Sequence, residues 1–480
     1  MTSLVPRLGF VTTVSVIVGT MIGSGIFKKS APMALLLGSE YILITVWIVA
    51  GIITLLGALC NAEVASVFPS TGGQYVFFKK MYGDKVAYIY GWAIFTVIQT
   101  GSIASIAYIF SEYLISGYEN LIVAHSLFTV PFVGLTLKCD VVNHDILVRV
   151  STIMLIVLLT AINHMGAKTS GRLAVLFTSI KVLSIILIIC LAFWQPFQNV
   201  SVLEHSSVVK LSIPAGIALI FAVMAALSKA FWAYDGWNSI TYIAGEVKNA
   251  QRNIPKALIL GVVAVTALYV LVNVAYLNVL PISVIAKSNL VAADVMNHSI
   301  GTYGSAAIGV VVMLSTLGAT NNTILSSARA HFALASDNLF FKSIGTVHPK
   351  YNTPHISLWI QCVWSSVLVL SGTFETLTDM LIFVSWIFYG MSAYGVILLR
   401  KTLPHIERPY KVPFYPVIPL TFVSISILFL VFVLWGDIDA YIKGTVSSIP
   451  SLSGLLLTMS GMPLYYWFDK KRKQQITASA

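Results

Sequence analysis

Twelve long blocks of mainly apolar residues constrain this chain more than any other feature, because each approaches or exceeds the roughly 20 residues that cross a hydrocarbon core as helix. They run approximately over 9–37, 41–67, 86–116, 144–165, 173–194, 213–244, 256–280, 303–335, 355–372, 376–400, 415–435 and 449–468. In lipid each span must satisfy its own backbone hydrogen bonds, so helices are the expected element. Only 10% of the residues are charged, against about 25% in a typical soluble domain. The fold class this predicts is an all-α membrane protein with twelve transmembrane helices. The first block is long and rich in glycine, and Lys28-Lys29 follows it with no small-residue cleavage site, which favours a retained span over a signal peptide.

Basic residues are retained on the cytoplasmic side of a membrane. With both termini cytoplasmic, 20 of the 29 Lys and Arg residues fall at inner ends or loops, seven fall outside, and Lys181 and Lys229 lie within spans. The +11 net charge is therefore explained by topology and gives nucleic-acid binding no support. Lys470-Lys471-Arg472-Lys473 reads as a stop-transfer anchor. Three cysteines, Cys60, Cys190 and Cys362, sit in predicted helices and only Cys139 in an external loop, so no internal disulfide framework is expected. No soluble domain stands apart from the spans, which puts function in the bundle. Paired aspartates, metal-spaced histidines and a Ser/Lys dyad at matching depths are missing from the sequence pattern. An enzyme is not expected, nor is a cofactor or a metal.

Two spans carry residues that a continuous helix would avoid. The first contains Val18-Gly19-Thr20-Met21-Ile22-Gly23-Ser24-Gly25-Ile26-Phe27, with three glycines in seven residues, each costing about 1 kcal/mol relative to alanine in a helix. Unwinding is expected at residues 22–25. The sixth contains Phe231-Trp232-Ala233-Tyr234-Asp235-Gly236-Trp237-Asn238, where a second break is expected. The breaks lie 210 residues and five spans apart, and an odd number of spans inverts the second half relative to the first. This is the signature of an inverted five-plus-five repeat, with 1–195 as the first repeat, 213–400 as the second, and 401–480 holding two peripheral helices and a basic cytoplasmic tail.

An interrupted helix exposes free amides at the start of one half and free carbonyls at the end of the other. The amides of Gly23, Ser24 and Gly25 suit a carboxylate, and the carbonyl end near Trp232 and Ala233 suits an ammonium. Together they make a receptor for a zwitterion with both groups on one carbon, the part common to all α-amino acids. The alternative is that Gly19, Gly23 and Gly25 only permit close helix packing.

Several motifs resemble one family. They are Gly-Thr-Met-Ile-Gly-Ser-Gly-Ile-Phe at 19–27, Phe68-Pro69-Ser70-Thr71-Gly72-Gly73-Gln74-Tyr75, and Ala233-Tyr234-Asp235-Gly236-Trp237-Asn238 followed by Glu246 and Arg252-Asn253-Ile254-Pro255. Asn273-Val274-Ala275-Tyr276, Ser326-Ser327-Ala328-Arg329 and Glu407-Arg408-Pro409-Tyr410-Lys411-Val412 add to them. In combination they resemble the L-type amino acid transporter branch of the amino acid, polyamine and organocation superfamily, over almost the whole chain. The resemblance implies a repeat of the leucine-transporter type with helices 1 and 6 broken. It implies an amino-acid site from Met21, Ile22, Gly23, Ser24, Gly25, Trp232, Ala233 and Asp235, with Trp232 closing over the substrate from outside. A packing role for Trp232 stays open. Tyr276 matches a tyrosine that supports the substrate or the unwound segment, with an ordinary buried tyrosine as its alternative.

Asp235 has two readings, as a side-chain cap for the inner half of the sixth span or as a carboxylate facing the substrate. Lys181, deep in the fifth span, is a functional candidate by default. The resemblance implies that it lies against the broken first helix, where a fixed ammonium could stand in for sodium. Thr316, Thr320, Thr323 and Ser327, at helical spacing in the eighth span, are candidate hydroxyl partners for it. The role of Lys229 stays open. The Gly72-Gly73 stretch reads as a turn before a short intracellular helix. Cys139 lies where eukaryotic members bond a single-span heavy subunit, but the short segment before the first span is a bacterial trait, so a free loop thiol is expected.

The leading expectation is sodium-independent exchange of small to medium neutral amino acids at the plasma (inner) membrane, by alternating access. Spans 1, 2, 6 and 7 would rock against a scaffold containing 3, 4, 8 and 9. Proton-coupled symport is the alternative, because a desolvated lysine can titrate near neutrality. A non-transporting amino-acid sensor is the competing class.

Overall fold

The computed structural model describes residues 8–70, 72–125, 144–165, 170–194, 211–337, 340–351 and 353–479, and Cys139 lies outside them. The described residues are helical with no strand, and the one extended pairing among them is a bridge between Leu8 and Val247. Among the described residues nine helical stretches are long and apolar enough to cross a membrane, and two shorter apolar helices, Thr178–Trp194 and His355–Ser371, match the fifth and ninth expected spans. The twelfth expected span is divided, with α-helix over Pro450–Met459 and again over Gly461–Ser479. Pro463 accounts for the division: it has no amide to offer the carbonyl four residues back.

The first span comprises α1 (Phe10–Met21), the single turn α2 (Gly25–Lys28) and α3 (Ser30–Leu37). Then come α4 (Glu40–Val67), the short α5 (Gln74–Tyr82), and α6 (Asp84–Ala93), which runs through a π turn at Ile94–Ile98 into α7 (Gln99–His125). After α8 (His144–His164) and α9 (Ser170–Trp194), the sixth span is α10 (Ile217–Tyr234) followed by a 3-10 helix, Ser239–Glu246. Next are α11 (Ala250–Val279), the short α12 (Ile282–Ile285) and α13 (Val291–Ile300), and α14 (Thr302–Ser336). The remainder is α15 (His355–Ser371), α16 (Phe374–Thr402), α17 (Val417–Ile442), α18 (Pro450–Met459) and α19 (Gly461–Ser479).

Packing sorts these helices into two groups. In one, α11 runs along α4 and α1, and α10 packs on α3 and α4. In the other, α7 runs along α14, α8 and α15. The helices α9 and α16 touch members of both. Lipid supplies little hydrophobic drive between helices, so close approach through small residues matters. A Cβ on Gly51 would stand 2.3 Å from Thr266 on α11, and one on Gly261 would stand 2.7 Å from Ile17 on α1. Large apolar side chains are left on the outside, among them Met154, Leu183, Val363 and Val431. Water would penalise such a surface, whereas acyl chains accept it. This is the exterior of a multi-pass membrane protein.

Candidate substrate site

The three glycines of the first span do different work. Gly19 is a packing glycine, since its Cβ would meet the Thr178 hydroxyl of α9 at 2.1 Å. Gly25 lies against the other broken helix, where a Cβ would be 2.5 Å from the Ala233 Cα. Only Gly23 borders open space, with nothing within 4 Å of the Cβ position. The break is shorter than the expected 22–25: helix stops at Met21 and resumes at Gly25.

Within the break the Gly23 amide turns back to the Met21 carbonyl at 2.8 Å, so Gly23 does not supply a free donor as the sequence suggested. Among the described residues the amides of Ser24 and Gly25 reach no carbonyl. The Ser24 hydroxyl, on a residue only 1% exposed, also has no partner. Met21 and Ile22 are buried beside it.

The second break sits further along than Trp232 and Ala233. Both remain in the last turn of α10, which ends at Tyr234, and the interruption falls over 235–238. It turns on Gly236 at φ +90°, a backbone conformation that favours glycine, and a Cβ there would lie 3.1 Å from the Thr20 carbonyl. Beyond it the chain continues as 3-10 rather than α-helix. The carbonyls of Phe231, Ala233 and Tyr234 receive no backbone amide among the described residues. These carbonyls bracket Trp232 and Ala233, where the carbonyl end was expected, and the Ala233 carbonyl accepts a side-chain hydroxyl, that of Tyr269.

Two residues hold the breaks to each other. Thr20 donates to the Gly236 carbonyl at 3.0 Å. Tyr269 on α11 points its hydroxyl between the Met21 carbonyl at 2.8 Å and the Ala233 carbonyl at 3.0 Å. Sequence reasoning missed Tyr269. Its signal was its place seven residues, about two turns, before Tyr276, on the same face of one helix. Tyr276 itself is fully buried with an unpartnered hydroxyl, and so is the Trp232 indole N–H, on a residue 6% exposed that meets the Phe374 ring at 6.1 Å between centroids.

Lys181 reaches the first break from α9, its ammonium donating to the Gly19 and Ile22 carbonyls at 3.1 Å each. The hydroxyl partners expected from the eighth span are not among its bonds. Thr316, Thr320, Thr323 and Ser327 each donate to the carbonyl four residues earlier on α14, the usual way a helix satisfies its own hydroxyls. Thr320 therefore does not join Lys181. Asp235 is not a helix cap either: its carboxylate accepts the Tyr389 hydroxyl at 2.7 Å, and the 3-10 helix begins at Asn238 with no side-chain cap. Lys229 does not pair with Asp235. It pairs with Glu375 at 2.9 Å and Asp379 at 2.6 Å, both on α16.

At the end where Leu8 meets Val247, the pair is held by backbone and side chains. Leu8 exchanges hydrogen bonds of 2.9 Å with Glu246 and Lys248, and Arg329 reaches Glu246 at 3.3 Å. The Gly72-Gly73 turn, at φ +119° and +55°, donates from Gly72 to the Tyr242 carbonyl and leads into α5 as expected. Tyr75 and Lys79 of α5 bond Asp337 at 2.7 Å, which ties that helix to the end of α14.

Residues 8–457 of the chain match the family model described as amino acid permease. The chain belongs to the amino acid permease family. This permease is 28% identical to the serine/threonine exchanger SteT of Bacillus subtilis (strain 168), over 97% of both chains. It is 29% identical to the human b(0,+)-type amino acid transporter 1, over 89% of its own length and 82% of the relative's. It is 30% identical to the human large neutral amino acids transporter small subunit 2, over 97% and 82% respectively. The permease is thus a membrane transporter of the amino acid class.

Proposed function

We propose that this permease is a sodium-independent exchanger of small to medium neutral amino acids, with the substrate held between the two breaks. One observation carries the reading: two helices are interrupted beside the point where they touch, Gly25 against Ala233, and among the described residues the Ser24 hydroxyl and the Ser24 and Gly25 amides there have no partner while the Ala233 carbonyl takes only the Tyr269 hydroxyl. The substrate carboxylate takes the amides of Ser24 and Gly25 and the Ser24 hydroxyl. Its ammonium takes the carbonyls of Phe231, Ala233 and Tyr234. Trp232 covers the site from outside and Tyr276 supports it. An enclosed polar cavity of about 20 Å³, lined by Gln99, Asp235, Ser385 and Tyr389, adjoins the second break and suits a short side chain. Asp235 then faces the side chain rather than the backbone of the substrate.

Sodium independence is supported by Lys181, whose ammonium already compensates the Gly19 and Ile22 carbonyls that a bound cation would otherwise take. Exchange is supported by the name of the bacterial relative, a serine/threonine exchanger. In this reading residues 1–195 and 213–400 are inverted repeats, α1, α4, α10 and α11 rock against α7, α8, α14 and α15, and 401–480 is peripheral with the tail in the cytoplasm of the inner membrane. No heavy subunit is part of the reading.

The test is counterflow in proteoliposomes with sodium replaced by choline, inhibited in turn by each of the twenty amino acids. Uptake that needs internal amino acid and is blocked best by small neutral ones supports the proposal; uptake that needs sodium, or runs into empty liposomes, sinks it. Lys181 also carries a second reading, because among the described residues its bonds are to carbonyls and to no carboxylate, so no counter-charge is fixed beside it. Uptake into empty liposomes driven by an inward proton gradient would make symport the mode.

A further inference from the structure

The outer ends of both broken helices are tied to unbroken neighbours by one charge network. Lys29, fully buried just after α2, bonds Glu375 at 2.8 Å and the Thr378 hydroxyl at 2.8 Å. Lys229, on α10 less than one turn outward of Trp232, takes the same Glu375 oxygen and Asp379. Lys28 pairs with Glu112 of α7. Each of these lysines belongs to the outer half of an interrupted helix, and each carboxylate to a continuous one. Under the network lies Phe374, with the Lys29 ammonium 4.3 Å and the Lys28 ammonium 5.0 Å above its ring and Trp232 against its side.

The Lys29 and Lys229 side chains are 0% and 13% exposed while Glu375 is 39% exposed, so a lost carboxylate leaves a buried ammonium uncompensated. Glu375 is shared, so loss of its charge strips Lys29 and Lys229 of a partner at once. The two outer halves are therefore coupled, and they are coupled directly outside the unpartnered groups of the candidate site. We propose that Lys28, Lys29 and Lys229 with Glu112, Glu375 and Asp379 form the outer gate, and that Glu375 is the latch common to the two broken helices. Phe374 and Trp232 are the apolar plug beneath it. This gives Lys229 a positioning role. The inference rests on the proposed reading that the site opens alternately to the outside.

The gate is tested on the solubilised full chain by maleimide labelling at Ser228→Cys, next to Lys229 and 4% exposed. Cys60, Cys139 and Cys190 are replaced, and Cys362 on α15, 3% exposed, is kept as an internal control. Glu375→Gln should label at Ser228→Cys at least about tenfold faster than the parent while Cys362 stays slow. Lys229→Gln should speed labelling as well, and Lys229→Arg, which keeps the charge between Glu375 and Asp379, should stay within about threefold of the parent. Unchanged labelling in Glu375→Gln, Lys229→Arg labelling as fast as Lys229→Gln, or Cys362 labelling in step with Ser228→Cys would each overturn the gate. Labelling does not depend on what is carried, so a failed gate with intact counterflow, and the reverse, are separate results. In flux, Glu375→Gln should lower the external KM and the maximal exchange rate together, a split that simple unfolding does not give.

Discussion

Two tyrosines on one face of α11 divide the work at the site, and only one of them could be picked from the sequence. Tyr276 stood out because it sits in a family motif, whereas Tyr269 carried nothing local to mark it. What distinguishes Tyr269 is the meeting of the Met21 and Ala233 carbonyls in front of it, a tertiary fact. Tyr269→Phe should lower stability by about 0.5–1.5 kcal/mol, the worth of a typical hydrogen bond, and slow exchange. Tyr276→Phe removes a hydroxyl with no protein partner, so melting should be unchanged while KM rises. Thermal melts beside counterflow separate the two, and a Tyr276→Phe protein that melts early with KM unaltered contradicts the assignment. Lys181 was legible because an ammonium that deep in a span must serve something. Its hydroxyl partners were not, because helical spacing brings threonines to one face without saying that each already bonds its own helix. Lys181→Ala leaves the Gly19 and Ile22 carbonyls without their donor, at about 1–3 kcal/mol each if they stay dry. Exchange should fall at least about tenfold, one tenth being worth about 1.4 kcal/mol; an unchanged rate would remove Lys181 from the mechanism.

At the scale of the helix, the breaks themselves were legible, since Gly-rich and Asp-Gly-containing stretches stand out in otherwise apolar spans. Their edges were not. Gly25 rejoins the helix and Gly19 never leaves it, because both owe their lack of a side chain to neighbours in space, Ala233 and Thr178. Composition cannot tell a glycine that unwinds from one that packs. The difference is testable. Gly25→Ala forces a methyl into the Ala233 backbone, an overpacking cost of about 1–3 kcal/mol, and should abolish exchange by spreading the broken pair. Gly23→Ala has room for its methyl and should keep the melting temperature of the parent. Should Gly23→Ala prove the more damaging of the two to stability, the reading of the contact is wrong. The 3-10 continuation after Asn238 and the Tyr389 bond of Asp235 were equally hidden, since Asp before a helical stretch is also the mark of a cap.

Over the whole molecule, the apolar blocks and their charge bias already set the class, and among the described residues eleven of the expected spans have apolar helices at the expected places. The twelfth is helical but divided, because Pro463 interrupts a run whose mean hydropathy looks continuous. The sorting of the helices into two groups, with the breaks on one side and α16 bridging to the other, follows from pairwise packing that periodicity alone does not encode. In the proposed reading the two interrupted helices form one receptor with an amide pole and a carbonyl pole. The most direct measurement is competition for counterflow by alanine, alanine amide and N-acetylalanine. The amide loses the carboxylate and the N-acetyl compound loses the ammonium, and hydrogen bonds to charged groups are worth about 1.5–3 kcal/mol, or at least about tenfold in affinity. Both derivatives should compete at least about tenfold more weakly than alanine. If either competes as well as alanine does, that pole is not part of the site and the account of the paired breaks is wrong.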